Sequence, residues 1–186
     1  MSRIRTVDYE EAEGRLKEIY DDLLQKRGKL AEVHKIQSLR PESITRHMDL
    51  YMEIMFSKSP LSRAQRELMA VVVSAANRCD YCIRHHAEAL LHYWKDEEKV
   101  NLAGRDYRQL ELSEIEKALC EYAELLTLQP GTFEEVDHTE TLRSIGLEDQ
   151  AILDATLVVS YFNFVNRMVL SLGVPLEEDQ GTGYKY

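Results

Sequence analysis

The run LMAVVV, Leu68 to Val73, is apolar on every side of a helical turn, so a helix that carries it has no face to offer to water and must lie inside its fold. A start signal precedes it: Ser62 and Gln65 stand at capping-box spacing. A stop follows it. Asn77 and Arg78 form a polar break after Ala76, and asparagine tolerates the left-handed conformation that ends helices. A second helix then starts near Cys79 and continues to about Trp94. The chain is therefore expected to wrap itself around a central helix pair.

The remaining segments read as further helices. Asp8 and Glu11, at capping-box spacing, start one that runs to about Lys26 before Gly28, with Leu16, Ile19, Tyr20, Leu23 and Leu24 as its apolar stripe. Leu30 to Leu39 is a short helix, and Pro41 suits the first turn of another that runs to about Ser57 and is closed by Pro60. Asp96 to Ala103 is a short helix stopped by Gly104. Ser113 with Glu116 caps a helix to about Leu128, Pro130-Gly131 turns the chain, Thr132 with Glu135 caps the next, and Gly146 ends it. A long helix runs from about Glu148 to Leu172 and is closed by Gly173 and Pro175. No segment alternates with period two between hairpin signals, and all 4 prolines stand at helix boundaries, so the fold class is all-α. At 186 residues the chain fits one domain, 1–186, with a redox core at 61–94, the long helix at about 148–172 and a tail at 175–186. The end of that tail, GTGYKY, has no periodicity and is read as either mobile or docked on a partner.

Charge narrows the partners. Lys plus Arg number 23 against 33 Asp plus Glu, and a net charge of -10 repels nucleic acid and anionic lipid. The most apolar region, Ala151 to Val174, contains Asp154, Asn163, Asn166 and Arg167, groups costly in lipid, so it is a poor membrane span. With 3 cysteines and no secretory pattern in Met1 to Tyr20, the expected compartment is the reducing cytoplasm. There a CxxC pair is catalytic, redox-sensing or metal-binding rather than structural.

Cys79, Cys82 and His86 follow one another at steps of three and four, which on a helix puts them on one stripe with neighbouring Cβ atoms roughly 5–6 Å apart. Residues at that spacing meet the roughly 4.4–6.8 Å Cα window of a disulfide, so the pair can be dithiol or disulfide without rebuilding the backbone. The attacking sulfur is open on these grounds. The helix dipole and exposure favour Cys79, whereas His86, one turn beyond Cys82, favours that residue by offering it a base. Glu67 would lie about 18 Å from Cys79 along one unbroken helix. If the chain folds back at Asn77 and Arg78, it comes level with about residue 88, within about a turn of His86. Glu67, His86 and the cysteine pair then share a pocket, with a water completing the proton relay.

Plainer roles compete for each residue. Cys79, Cys82, His85 and His86 could hold structural zinc, although tetrahedral closure from one helix is awkward. Glu67 could be a first-turn carboxylate favoured by the helix dipole. His85 lies off the stripe and reads as a surface or interface residue. Cys120 reads as a packing residue. Asp96 to Glu98 is a solvated helix start, and His34, His47, His92 and His138 carry no pattern that assigns them a function.

The order Glu67, eleven residues, Cys79, two residues, Cys82, three residues, His86 resembles the core motif of the AhpD-like alkylhydroperoxidase family within the carboxymuconolactone decarboxylase-like superfamily. The run YFNFVNRMVLSLGV, Tyr161 to Val174, is similar to the last helix of its peroxidase-related branch, so the likeness covers most of the chain. The resemblance implies an all-helical oligomer, trimeric or hexameric, that reduces small organic hydroperoxides without a bound cofactor. It implies that Cys82 attacks the peroxide, Cys79 resolves the product into a disulfide, Glu67 and His86 relay the proton, and a thiol donor regenerates the pair. Tyr81 departs from the pattern, which often has histidine there, so no role carries over to that position. Members resembling the decarboxylase branch generally lack such a cysteine pair, which argues against lactone decarboxylation. A non-catalytic zinc-binding protein or thiol redox sensor using the same cysteines is the alternative, separated by metal content.

The last helix bears on assembly. Thr156, Ser160, Asn163, Arg167 and Ser171 make a narrow polar stripe, while Leu157, Val158, Tyr161, Phe162, Phe164, Val165, Met168, Val169 and Leu172 cover the rest. That exceeds the apolar stripe an edge helix needs, so the excess is expected in the core or against another subunit.

Overall fold

In the computed structural model, which describes residues 2–179, the helix carrying LMAVVV is Arg63–Ala76, and every residue from Arg66 to Ser74 is buried. Its start is the expected capping box. The Ser62 N–H donates to Gln65 Oε1 at 2.8 Å, and the Gln65 N–H donates to Ser62 Oγ at 3.2 Å. Among the described residues the helices are α1 (Gly14–Arg27), α2 (Glu32–Lys35), α3 (Pro41–Phe56), α4 (Arg63–Ala76), α5 (Asp80–Trp94), α6 (Glu97–Asp106), α7 (Glu114–Leu128), α8 (Thr139–Ser144) and α9 (Asp149–Leu172). Short 3₁₀ turns join some of them and no strand is present among these residues, so the all-α expectation holds. Helix α4 packs against α3, α5, α6, α7 and α9. A smaller apolar cluster, Leu16, Ile19, Tyr20 and Leu23 with Ile44, joins α1 to α3.

The turn after α4 decides where the chemistry lies. Arg78, at φ +56°, takes the left-handed position, and Asn77 stays right-handed at φ −80°, so the reversal comes one residue later than the sequence suggested. The Cys79 N–H donates to the Ser74 carbonyl and the Arg78 N–H to the Ala75 carbonyl, each at 2.9 Å, which is a Schellman closure. Asn77 then serves as a tie: its Nδ2 donates to Oδ1 of both Asn163 and Asn166 on α9, each at 3.0 Å.

Other expectations shift for identifiable reasons. Asp8 caps nothing; its carboxylate takes Lys35 Nζ at 3.1 Å, Tyr9–Glu11 forms a single 3₁₀ turn, and α1 starts at Gly14. The helix expected over Leu30 to Leu39 contracts to α2. Gly104 does not stop α6. A Cβ there would stand 3.2 Å from Ile83 Cγ2, so glycine lets α6 approach α5 closely. The Thr132 hydroxyl donates to the Gln129 carbonyl at 2.9 Å instead of capping a helix with Glu135, and α8 begins only at Thr139, whose N–H donates to Asp137.

By length and composition α9 could cross a membrane, yet here it packs as a core helix against α4 and α7. Its polar stripe is not uniformly outward. Thr156 bonds the Tyr122 hydroxyl at 2.8 Å and Asn163 bonds Asn77 and Thr127, while Leu153, Leu157, Phe164 and Leu170 are exposed. Phe162 is buried within its own chain. The segment GTGYKY lies outside the described residues.

Candidate active site

The reversal at Arg78 lays α5 back along α4 and brings Glu67 to His86. His86 Nδ1 lies 2.7 Å from Glu67 Oε2. On its other oxygen the carboxylate accepts from Arg63 Nε at 2.8 Å and Nη2 at 2.5 Å. Glu67 has no exposed side-chain surface. Burial pushes its carboxyl up, but His86 and Arg63 outweigh that and hold it below the usual carboxylate range. The Arg63 guanidinium is itself seated over the Phe56 ring, 3.6 Å from its centroid. An ionised Glu67 accepts the Nδ1 proton of His86, so any basic nitrogen that the ring offers is Nε2. That ring stands edge-on to Phe162 with centroids 4.4 Å apart.

Both cysteines are free and buried. Cys79 is the N-cap of α5 at 0% exposure, so the expectation that exposure favours it fails: the Schellman turn tucks it beneath the helix ends. Its thiol is pulled down by the Cys82 thiol and by the Cys82 N–H, against burial. Cys82 is pushed well up because it shares a proton with Cys79 and is buried, an effect only partly offset by Asn166. Of the two, Cys82 lines a cavity of about 80 Å³, together with His86. That is about half the roughly 150 Å³ of a protein cavity able to hold benzene, so it suits a small ligand or the end of a larger one. The pair thus divides its properties: Cys79, the more acidic sulfur, is enclosed, and Cys82, four residues before His86, lines the cavity.

The cavity wall contains residues to which sequence reasoning gave no role. His85, expected at the surface or an interface, is largely buried there, stacked on Tyr81 at 4.1 Å between centroids. Glu177 from the segment after α9 gathers this corner. It accepts from the Tyr81 hydroxyl at 2.7 Å and from the Glu32 N–H at 2.9 Å, and its Oε2 lies 3.1 Å from His85 Nε2. Burial works to raise the Glu177 carboxyl, but His85, Tyr81 and the Glu32 amide bring it down to about 2. His34 and His47 line the same cavity, both pushed down by burial, to about 3 and about 4, and so neutral. Nδ1 of His34 is buried without a hydrogen-bond partner. Arg63 had a legible signal, standing four residues before Glu67. Tyr81 and His85 share that spacing. The approach of Glu177, His34 and His47 had none.

Cys120 lies apart, fully buried in α7, its thiol pushed far up by burial, as a packing residue. Among the described residues no three of histidine, cysteine, aspartate and glutamate converge as a metal site.

The sequence pattern of the Carboxymuconolactone decarboxylase family matches residues 41–125. Solved structures resemble nearly the whole chain. An uncharacterized peroxidase-related protein from Silicibacter sp. TM1040 is 27% identical with a TM-score of 0.81, covering 89% of this chain and 86% of that one. The alkylhydroperoxidase AhpD core of a peroxidase-related protein from Ralstonia eutropha JMP134 is 21% identical with a TM-score of 0.84, covering 97% and 94%. The debrominase Bmp8, in complex with 2,3,4-tribromopyrrole, shares the fold at 17% identity and a TM-score of 0.76, covering 93% and 90%.

Proposed function

The chain belongs to the carboxymuconolactone decarboxylase-like superfamily with an AhpD-like fold, and from that premise we propose that it reduces small organic hydroperoxides by a Cys79/Cys82 dithiol–disulfide cycle. The observation that carries this reading is the 2.7 Å contact by which Glu67, behind the cavity wall, holds His86, which lines one small cavity with Cys82. His86 Nε2 takes the Cys82 proton, with Glu67 fixing the tautomer and Arg63 fixing Glu67. The Cys82 sulfur attacks the outer peroxide oxygen, the O–O bond breaks, and an alcohol leaves. Cys79 then attacks the sulfenic sulfur, its thiol proton leaves with the displaced hydroxide as water, and the resulting disulfide is reduced by a thiol donor. In the reduced pair the Cys82 thiol and the Cys82 N–H hold the Cys79 thiol below its ordinary range, which favours Cys79 as a nucleophile beside Cys82.

The expected setting is the cytoplasm, with the exposed Leu153, Leu157 and Phe164 of α9 covered by another copy of the chain. The test is consumption of tert-butyl hydroperoxide with dithiothreitol as reductant, with thiols titrated before and after one equivalent of peroxide. Catalytic consumption with loss of two thiols per chain supports the reading. Oxidation without turnover would make the protein a redox sensor. Stoichiometric zinc in place of reactive thiols would make it a metal-binding protein. Debromination of 2,3,4-tribromopyrrole without peroxide turnover would move the dithiol chemistry to reductive dehalogenation.

A further inference from the structure

Breaking an O–O bond expels an alkoxide, which needs a proton as it leaves. A hydrogen-bonded chain that reaches the cavity wall at His47 and Tyr161 offers one, and its proton positions follow from geometry. Gln37 Nε2 lies 2.9 Å from the Val33 carbonyl, which only accepts, so this atom is the amide nitrogen. The same nitrogen lies 2.7 Å from His47 Nδ1, which must therefore accept and carry no proton. The single proton of the neutral His47 ring then sits on Nε2, 2.6 Å from the Tyr161 oxygen, and is donated to it. The hydroxyl proton of Tyr161 must point elsewhere. His47 is its hydrogen-bond neighbour among the described residues, and Tyr161 lines the same cavity as Cys82 and His86. Burial holds Tyr161 well above the ordinary phenol range, so the proton is present across the working range.

We propose that Tyr161 is a catalytic residue whose O–H binds the inner oxygen of the hydroperoxide and gives it a proton as the O–O bond breaks, with His47 and Gln37 as positioning residues. This rests on the hydroperoxide reading above. As the Cys82 sulfur bonds to the outer oxygen, the electron pair of the O–O bond stays on the inner one, which takes the Tyr161 proton and leaves as alcohol. Sulfur is oxidised to the sulfenic acid and the peroxide is reduced. The His47 Nε2–H bond stabilises the tyrosinate until the proton that Cys82 gave to His86 returns to it through water, so the step is balanced without a further reactant.

The leaving group provides the test. Full-length wild type and Tyr161→Phe are compared in single-turnover oxidation by tert-butyl hydroperoxide, whose alkoxide needs the proton, and by peracetic acid, whose carboxylate does not. Tyr161→Phe should slow the first by about 100-fold and the second by no more than about 3-fold, since positioned general acids typically contribute 10²–10⁴. Equal loss on both, or loss on neither, overturns the role of Tyr161 and leaves the hydroperoxide reading standing. Wild type inert to both oxidants overturns that reading and this role together. If Tyr161→Phe does not fold, Gln37→Met keeps the hydroxyl but frees His47 to take either tautomer. It should then show about a 10-fold loss with tert-butyl hydroperoxide and none with peracetic acid. Loss on neither again overturns the proposal.

Discussion

Replacing Glu67 by glutamine keeps the shape of the side chain and removes its charge, and the structure specifies two consequences. Arg63, whose side chain is only 10% exposed, loses the anion that receives its Nε and Nη2 bonds. Breaking a buried pair from one side costs about 3–5 kcal/mol, which for a chain of this length lowers Tm by roughly 6–20 °C at 2–4 °C per kcal/mol. The second consequence concerns His86. A glutamine NH₂ facing Nδ1 makes that nitrogen an acceptor, moves the ring proton to Nε2, and removes the base from the Cys82 side. Loss of a positioned base costs about 10²–10⁴ in rate. The assays are thermal or denaturant unfolding at pH 7 and stopped-flow oxidation by one equivalent of tert-butyl hydroperoxide. The pH dependence has a definite sign. The folded-state pKa of Glu67 lies below its unfolded value of about 4.3, so its contribution is complete above that pH and is lost as pH falls through the folded value. The stability gap between wild type and Glu67→Gln should therefore narrow only in acid, below about pH 4. A variant within about 1 kcal/mol and about 3-fold of wild type would refute both the buried ion pair and the relay.

Two further outcomes are expected. Glu177, brought down to about 2, should hold the segment after α9 onto α2 and Tyr81 from neutral pH down to about pH 4.3, then release it as pH falls toward 2. Hydrogen exchange at the Glu32 amide should rise in that window in wild type, and at all pH values in Glu177→Ala; an amide equally protected in the variant would remove Glu177 as the anchor. Light scattering should give a multiple of 21.6 kDa, falling to that mass in Phe164→Asp, because Phe164 is 51% exposed on an apolar face of α9; a wild-type monomer across the micromolar range would contradict the contact.

The central helix was legible because a run apolar on all sides has one place to go, and the break after it placed Glu67 near His86 through chain geometry alone. The fate of Asp8 was not. Its capping-box spacing is local, and Lys35, brought in by tertiary packing, takes the carboxylate instead. Gly104 reads as a breaker in sequence but serves a close approach of α6 to α5, which appears only once the helices are packed. Cys79 misled for a related reason: a helix N-terminus is exposed by default, whereas here Asn77, bound to Asn163 and Asn166, draws the turn beneath α9. The Gln37–His47–Tyr161 chain joins residues 114 apart at its last link, so no spacing rule could have reported it.

The central claim is that Cys82 attacks and Cys79 resolves. Its most direct test is the intact mass and peroxide consumption of Cys82→Ser and Cys79→Ser after one equivalent of tert-butyl hydroperoxide without reductant. The account predicts that Cys79→Ser consumes the equivalent and gains one oxygen as a sulfenic acid, and that Cys82→Ser consumes none and keeps its mass. A single turnover by Cys82→Ser, with the oxygen on Cys79, would contradict the assignment.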